Sequence, residues 1–98
     1  MPKPFFVEAM EKHDPELNER VAGLREFVEQ DGALPKRVKV LMAMLGDAIL
    51  GHPDGVKALA EQAREAGASE AEIAETVRMA LQIGGLPGLV TATRAYRT

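Results

Sequence analysis

Gly51-His52-Pro53-Asp54-Gly55 is the stretch of this 98-residue chain whose residue types and spacing come nearest to chemistry. His52 precedes a proline, which biases it to an extended backbone and makes Pro53-Asp54 the natural first turn of a helix. A neutral histidine at such a turn can act as a general base or accept a hydrogen bond from a ligand. Asp47, at the end of the preceding helical pattern, and Asp54, in the first turn of the next, are the carboxylates placed to orient it. His52, Asp47 and Asp54 are therefore the candidate acid–base group, acting on a small organic substrate. The plainer alternative makes His52 a cap or surface residue and Asp54 a complement to the helix dipole. There is no cysteine in the chain, which removes disulfides, thiolate metal sites and thiol catalysis from what it can do.

Other groups point to less. Met42, Leu45 and Leu59 are the candidates to line an apolar pocket between helices, with Met44 and Met79 as further soft apolar side chains. His13, Asp14 and Glu16 carry metal-capable atoms, yet their position at a predicted helix start reads as ordinary capping, and no metal site is expected. Lys36, Arg37 and Lys39 could meet an anion at a helix start, although a solvated face explains them as well. Ser69 has no neighbouring base to activate its hydroxyl. No motif supports a cofactor.

The elements that must position these residues are helical throughout. Apolar residues recur at helical spacing and no alternating run argues for a strand, so the chain reads as all-α, with five to six helices. Residues 1–13 read as a short helix or an extended arm. Asp14 and Pro15 open a helix with Leu17, Val21, Leu24 and Val28 on one face, stopped by Asp31-Gly32. Pro35 opens another, apolar on every side over Val40–Leu45 and expected to end at Gly46-Asp47. A helix apolar all round is usually buried all round. Pro53-Asp54 begins a helix closed by Gly67, with Val56, Leu59, Ala60 and Ala63 as its narrow apolar stripe. Ser69-Glu70-Ala71-Glu72 is a capping box for the next, whose core face is Ile73, Val77, Ala80 and Leu81. Gly84-Gly85-Leu86-Pro87 breaks that helix, and Pro87 can open a last one carrying Leu89, Val90, Ala92, Thr93 and Tyr96.

Length allows one domain over residues 1–98. Hydrophobic residues are 46 % of the chain but much of that is alanine, and aromatics are 4 %, so a lone monomer would have little core to hold it. Residues 1–34 carry 8 acids against 4 bases, within a net charge of −3, and the bases form no dense stripe. Nucleic acid is excluded as an expected partner, and no apolar run is long enough for a bilayer. A soluble cytoplasmic protein is the default expectation.

Asp14-Pro15-Glu16-Leu17, Gly32-Ala33-Leu34-Pro35-Lys36, Gly51 with Ala66-Gly67-Ala68-Ser69-Glu70-Ala71-Glu72-Ile73, and Gly84-Gly85-Leu86-Pro87 resemble, in order and spacing, the carboxymuconolactone decarboxylase and alkylhydroperoxidase D-like family. The resemblance implies a small all-α fold that assembles as a dimer, trimer or hexamer. It also implies where chemistry would sit. In the thiol-peroxidase branch a Cys-x-x-Cys opens a helix, a histidine follows four residues later and a glutamate lies one helix earlier. Those positions here hold His52, Gly55, Leu59 and Val40. The decarboxylase branch relies on a histidine at the Leu59 position. The resemblance thus carries over the fold and the oligomer but neither activity. What remains is a protein with an acid–base or small-organic-ligand site at His52, or alternatively a noncatalytic helical oligomer that binds a ligand or protein. A catalytic role predicts a partly buried His52 lining a cavity, and a binding or scaffold role an exposed one or no cavity.

Overall fold

Asp14 shows how locally this chain sets its helix starts: its carboxylate accepts the Leu17 backbone N–H at 3.1 Å, and Pro15 occupies the first helical position. The structure, a computed structural model, describes residues 3–98. It contains five α-helices, α1 (Phe5–His13), α2 (Pro15–Glu29), α3 (Lys36–Leu50), α4 (Pro53–Glu65) and α5 (Glu70–Ala92), followed by a short 3-10 turn at Thr93–Ala95. Among the described residues there is no strand, and no helix is long and apolar enough to cross a membrane. The opening segment, readable from sequence as helix or arm, is helical from Phe5.

The chain divides into two compact units, one ending at Gln30 and one running from Asp31 to Thr98. The first is the α1–α2 hairpin. Its helices touch, and the Arg25 guanidinium lies 5.8 Å from the Phe6 ring centroid, within cation–π range. Neither helix holds a buried residue: Leu17, Leu24 and Val28, expected on a core face, are exposed. Two short helices have too little facing surface to enclose a core of their own.

The second unit holds the core. Thirteen buried apolar side chains form it, seven of them alanine, with Val40, Leu41 and Met44 from α3, Val56 from α4, and Ile73 and Val77 from α5 as the larger members. Alanine at these contacts lets the helices approach closely, since little side chain stands between the backbones. α3 packs against both α4 and α5. It runs past Gly46-Asp47 to Leu50, because a single glycine costs a helix only about 1 kcal/mol, and it stops where Gly51 takes a left-handed φ of 79°. Its burial is one-sided, contrary to the expectation from its all-round apolar sequence. Met42 and Ala43 are exposed.

α4 buries Val56, Ala60 and Ala63 and turns at Gly67, φ 99°. The capping box at α5 is complete: Ser69 Oγ accepts from Glu72 N at 3.0 Å and Glu72 Oε1 accepts from Ser69 N at 2.9 Å. α5 buries Ile73, Val77 and Ala80, whereas Leu81, expected beside them, faces outward. Gly85 (φ 66°, ψ −164°) interrupts α5 at the expected break, and Pro87 begins the distal segment, which returns Gly88, Ala92 and Ala95 to the core.

Candidate functional site

The turn between α3 and α4 carries His52. Its backbone N–H donates to the Asp47 carbonyl at 2.9 Å, which folds the chain back over the last turn of α3. The ring Nδ1 then stands 3.4 Å from Asp47 Oδ1, a long contact, with the His52 side chain 61 % exposed and that of Asp47 28 % exposed. The Asp47 carboxylate lies against Gly55, in the space a Cβ there would need. Glycine in the first turn of α4 is thus what allows Asp47 to reach the helix opening. Asp54 also lies in that first turn but is exposed and enters no hydrogen bond or ion pair among the described residues. Of the three candidate acid–base residues, His52 and Asp47 are brought together, with His52 facing solvent and Asp47 half-buried.

An apolar groove of about 240 Å³ opens between α3 and α5, lined by Val38, Leu41, Met42, Leu45, Glu75, Thr76 and Met79. Val38, Met42 and Leu45 are spaced by four and three residues, and Thr76 and Met79 by three, so each helix presents one stripe to it. Two of the expected ligand-lining residues, Met42 and Leu45, are there. Leu59 is not: it belongs to α4 and packs half-buried against the core. His52 does not line the groove either. Val38, Thr76 and Glu75 were not singled out by sequence. The signal for them was the shared face of α3 and α5, which cannot be drawn until the two helices are known to be neighbours.

Val40 and Leu59 stand at the positions where the resemblance implies a glutamate and a histidine, and both carry hydrocarbon to the core cluster. Val40 is 1 % exposed, and Leu59 packs on the same cluster. Gly55, at the second thiol position, has no side chain to offer.

Charge is concentrated elsewhere. The Arg64 side chain, 9 % exposed, donates to Glu70 through Nε and Nη2 (both 2.8 Å), to Glu61 (2.7 Å) and to the Ala95 carbonyl (2.8 Å). Arg97 closes the set with two bonds to Glu61, at 3.1 and 2.7 Å. The hub joins the end of α4, the start of α5 and the terminal turn. Arg97 holds the Glu61 carboxyl below the ordinary range, and Arg64 does the same for Glu70. The Ser69 backbone N–H and then Arg37, whose Nε lies 3.1 Å away, hold Glu72 down likewise. Every arginine here is neutralised by a carboxylate, so the hub is a fastening rather than an anion site. Of the metal-capable residues near α2, Asp14 caps the helix and Glu16 pairs with Arg20 at 3.3 Å.

The profile of the carboxymuconolactone decarboxylase family matches residues 15–98. Among solved structures, a carboxymuconolactone decarboxylase family protein from Legionella pneumophila is similar at 30 % identity and a TM-score of 0.84, over 91 % of this chain and 80 % of that one. A structure from Burkholderia xenovorans LB400, provisionally named a carboxymuconolactone decarboxylase, shares the fold at 22 % identity and a TM-score of 0.86, over 95 % of this chain and 74 % of the other. No curated protein matches.

Proposed function

The chain belongs to the carboxymuconolactone decarboxylase family, and from that premise we propose that it is a noncatalytic, self-associating binding module whose α3–α5 groove holds a small apolar molecule. The observation that carries this reading is the exchange of roles between two sites. Where the family resemblance implies acid–base groups, this chain has Val40 buried in its core and Leu59 packed half-buried against it, and thiols are absent from the whole sequence. On the side of α3 that α4 does not cover, Met42, Leu45 and Met79 leave an apolar groove. Ligand sites are commonly concave, apolar and supplied with a few polar groups. Glu75 is the one titratable residue in the lining.

Self-association belongs to the same reading. Leu50, Ile83, Leu86 and Val90 are each more than half exposed, as are Leu24 and Phe27 in the hairpin. Soluble monomers rarely leave so many large apolar side chains to water. Static light scattering of the purified protein is expected to give a homo-oligomer, and a monomer would remove this part of the proposal.

Native mass spectrometry tests the ligand site, because one spectrum reports subunit number and any retained molecule. A retained mass lost in Met42→Glu but kept in His52→Ala is the expected result. The opposite pattern would favour a second reading, in which His52 and Asp47, 3.4 Å apart, form an acid–base pair on a small organic substrate.

A further inference from the structure

We propose that the α1–α2 hairpin of one chain docks on the kinked face of α5 in a second copy, so that each copy covers a surface its partner leaves open. The inference rests on the self-association reading above and names the two surfaces that meet. The first is the face of α2 that carries Leu24, Phe27 and Val28, spaced as neighbours on one side of a helix and each more than half exposed. α1 and α2 contain no buried residue, and helices this short draw most of their stability from what they pack against. The second surface flanks the interruption at Gly85, with Ile83 before it and Leu86 and Val90 after it, again each more than half exposed. Both surfaces are open in the single chain, and each is a cluster rather than a scattered side chain.

Charge selects which surface meets which. Residues 1–30 carry seven acids and four bases, whereas the chain after Glu75 carries Arg78, Arg94 and Arg97 and no acidic side chain. Arg97 is engaged with Glu61, but Arg78 and Arg94 are exposed and enter no hydrogen bond or ion pair among the described residues. Two copies can bring these surfaces together in three ways. Hairpin on hairpin sets an excess of acids against the same excess, and α5 on α5 sets unpaired arginines against each other. Hairpin on α5 is the combination that joins opposite charges, and like charges set face to face suppress the other two. Because the two surfaces differ, the contact closes either as a two-fold pair in which it is made twice or as a ring in which each copy gives its hairpin to the next.

The lack of native cysteine makes thiol cross-linking a clean test. Phe27→Cys and Leu86→Cys are made singly and together, bridged with a short bis-maleimide at a concentration where light scattering has defined the assembly, and read by denaturing electrophoresis and intact mass. The double variant is expected to run at twice the chain mass or a higher multiple, and each single variant to stay at the chain mass. One linker consuming both thiols within a single chain would overturn the inference, because the hairpin would then cover its own α5. Dimers from either single variant would also overturn it, since like surfaces would then be meeting. An oligomer by light scattering that yields no cross-link, either in this double variant or in Leu24→Cys with Val90→Cys, would overturn the pairing and leave self-association standing. A monomer by light scattering would overturn both. All four positions are exposed, so the variants are expected to fold, as circular dichroism would verify.

Discussion

Replacing Val40 by glutamate restores the group that the family resemblance implies at that position and asks whether the interior can hold it. Val40 is 1 % exposed, on a helix packed against both α4 and α5. Arg37, three residues earlier on the same helix, is engaged with Glu72. An acid buried without a partner is driven to its neutral form, with pKa values near 8 to 9 documented for such sites. Keeping it protonated at pH 7, from an ordinary value near 4.3, costs about 3.7 kcal/mol at 1.36 kcal/mol per unit. Loss of the buried valine adds about 1.5 kcal/mol. The expected destabilisation is thus about 5 kcal/mol, a large part of the 5–15 kcal/mol that holds a typical domain together. The folded pKa of the introduced carboxyl is raised above its unfolded value, so its penalty is absent below the unfolded pKa and grows as pH rises toward the folded one. Between pH 7 and pH 5 the variant should recover about 2.7 kcal/mol by the same conversion. Urea denaturation of Val40→Glu at both pH values, against Val40→Gln as the uncharged control, reads this directly. A loss below about 1 kcal/mol, or a pH profile parallel to the glutamine variant, would refute the reasoning. The interior would then admit a carboxylate, and the argument against acid–base chemistry at this position would fall.

Three further outcomes follow from particular contacts. Glu61, Glu70 and Glu72 have carboxyls held below their ordinary values, so the stability they contribute is present above the unfolded pKa near 4.5 and is lost as pH falls through the folded values. The melting temperature should be level from pH 7 to about 5 and decline below about 4.5, less steeply in Glu70→Gln, and a decline beginning near pH 6 would contradict this. Gly85→Ala forces a Cβ into a backbone region reserved for glycine and should cost about 1–3 kcal/mol in denaturant titration, whereas an unchanged midpoint would mean that the kink at φ 66° is dispensable. Gly55→Ala puts a methyl where the Asp47 carboxylate lies, so the carboxylate should swing away and the His52 ring resonances should shift, while stability changes by less than about 1 kcal/mol. Unmoved His52 resonances would show that Asp47 does not touch the ring in solution.

What was legible in the sequence was local. The Asp14 cap, the Ser69–Glu72 box and the stop at Gly67 each involve residues within a turn of one another, where backbone geometry and side-chain reach decide the outcome. The same local reading ended α3 too early at Gly46-Asp47, because propensity is a weak force against packing on two neighbours. It also placed Leu24 and Val28 in a core that the hairpin does not enclose. The Arg64 hub was not readable, since its partners Glu70 and Ala95 come from the next helix and the terminal turn and meet only at that corner. The site divided along the same line. His52 and Asp47 are joined by the turn itself, and their proximity could be inferred, while the membership of the groove depends on which face of α3 meets α5.

That division explains how the family fold could persist while the reactive positions changed. Seven alanines in the core let α3, α4 and α5 approach closely, and such an interior has few sites where a large polar group fits without displacing a backbone. Once Val40 and Leu59 occupy the inner side of the helices, the volume that would surround a carboxylate or imidazole is filled with hydrocarbon. Met44 and Ile73 are the largest side chains this interior holds, while Met42, Met79 and Ile83 are carried outward. The apolar groove and the closed core are consequences of one packing choice. A return of acid–base groups to the interior would require these helices to separate, which would also change the walls of the groove between α3 and α5.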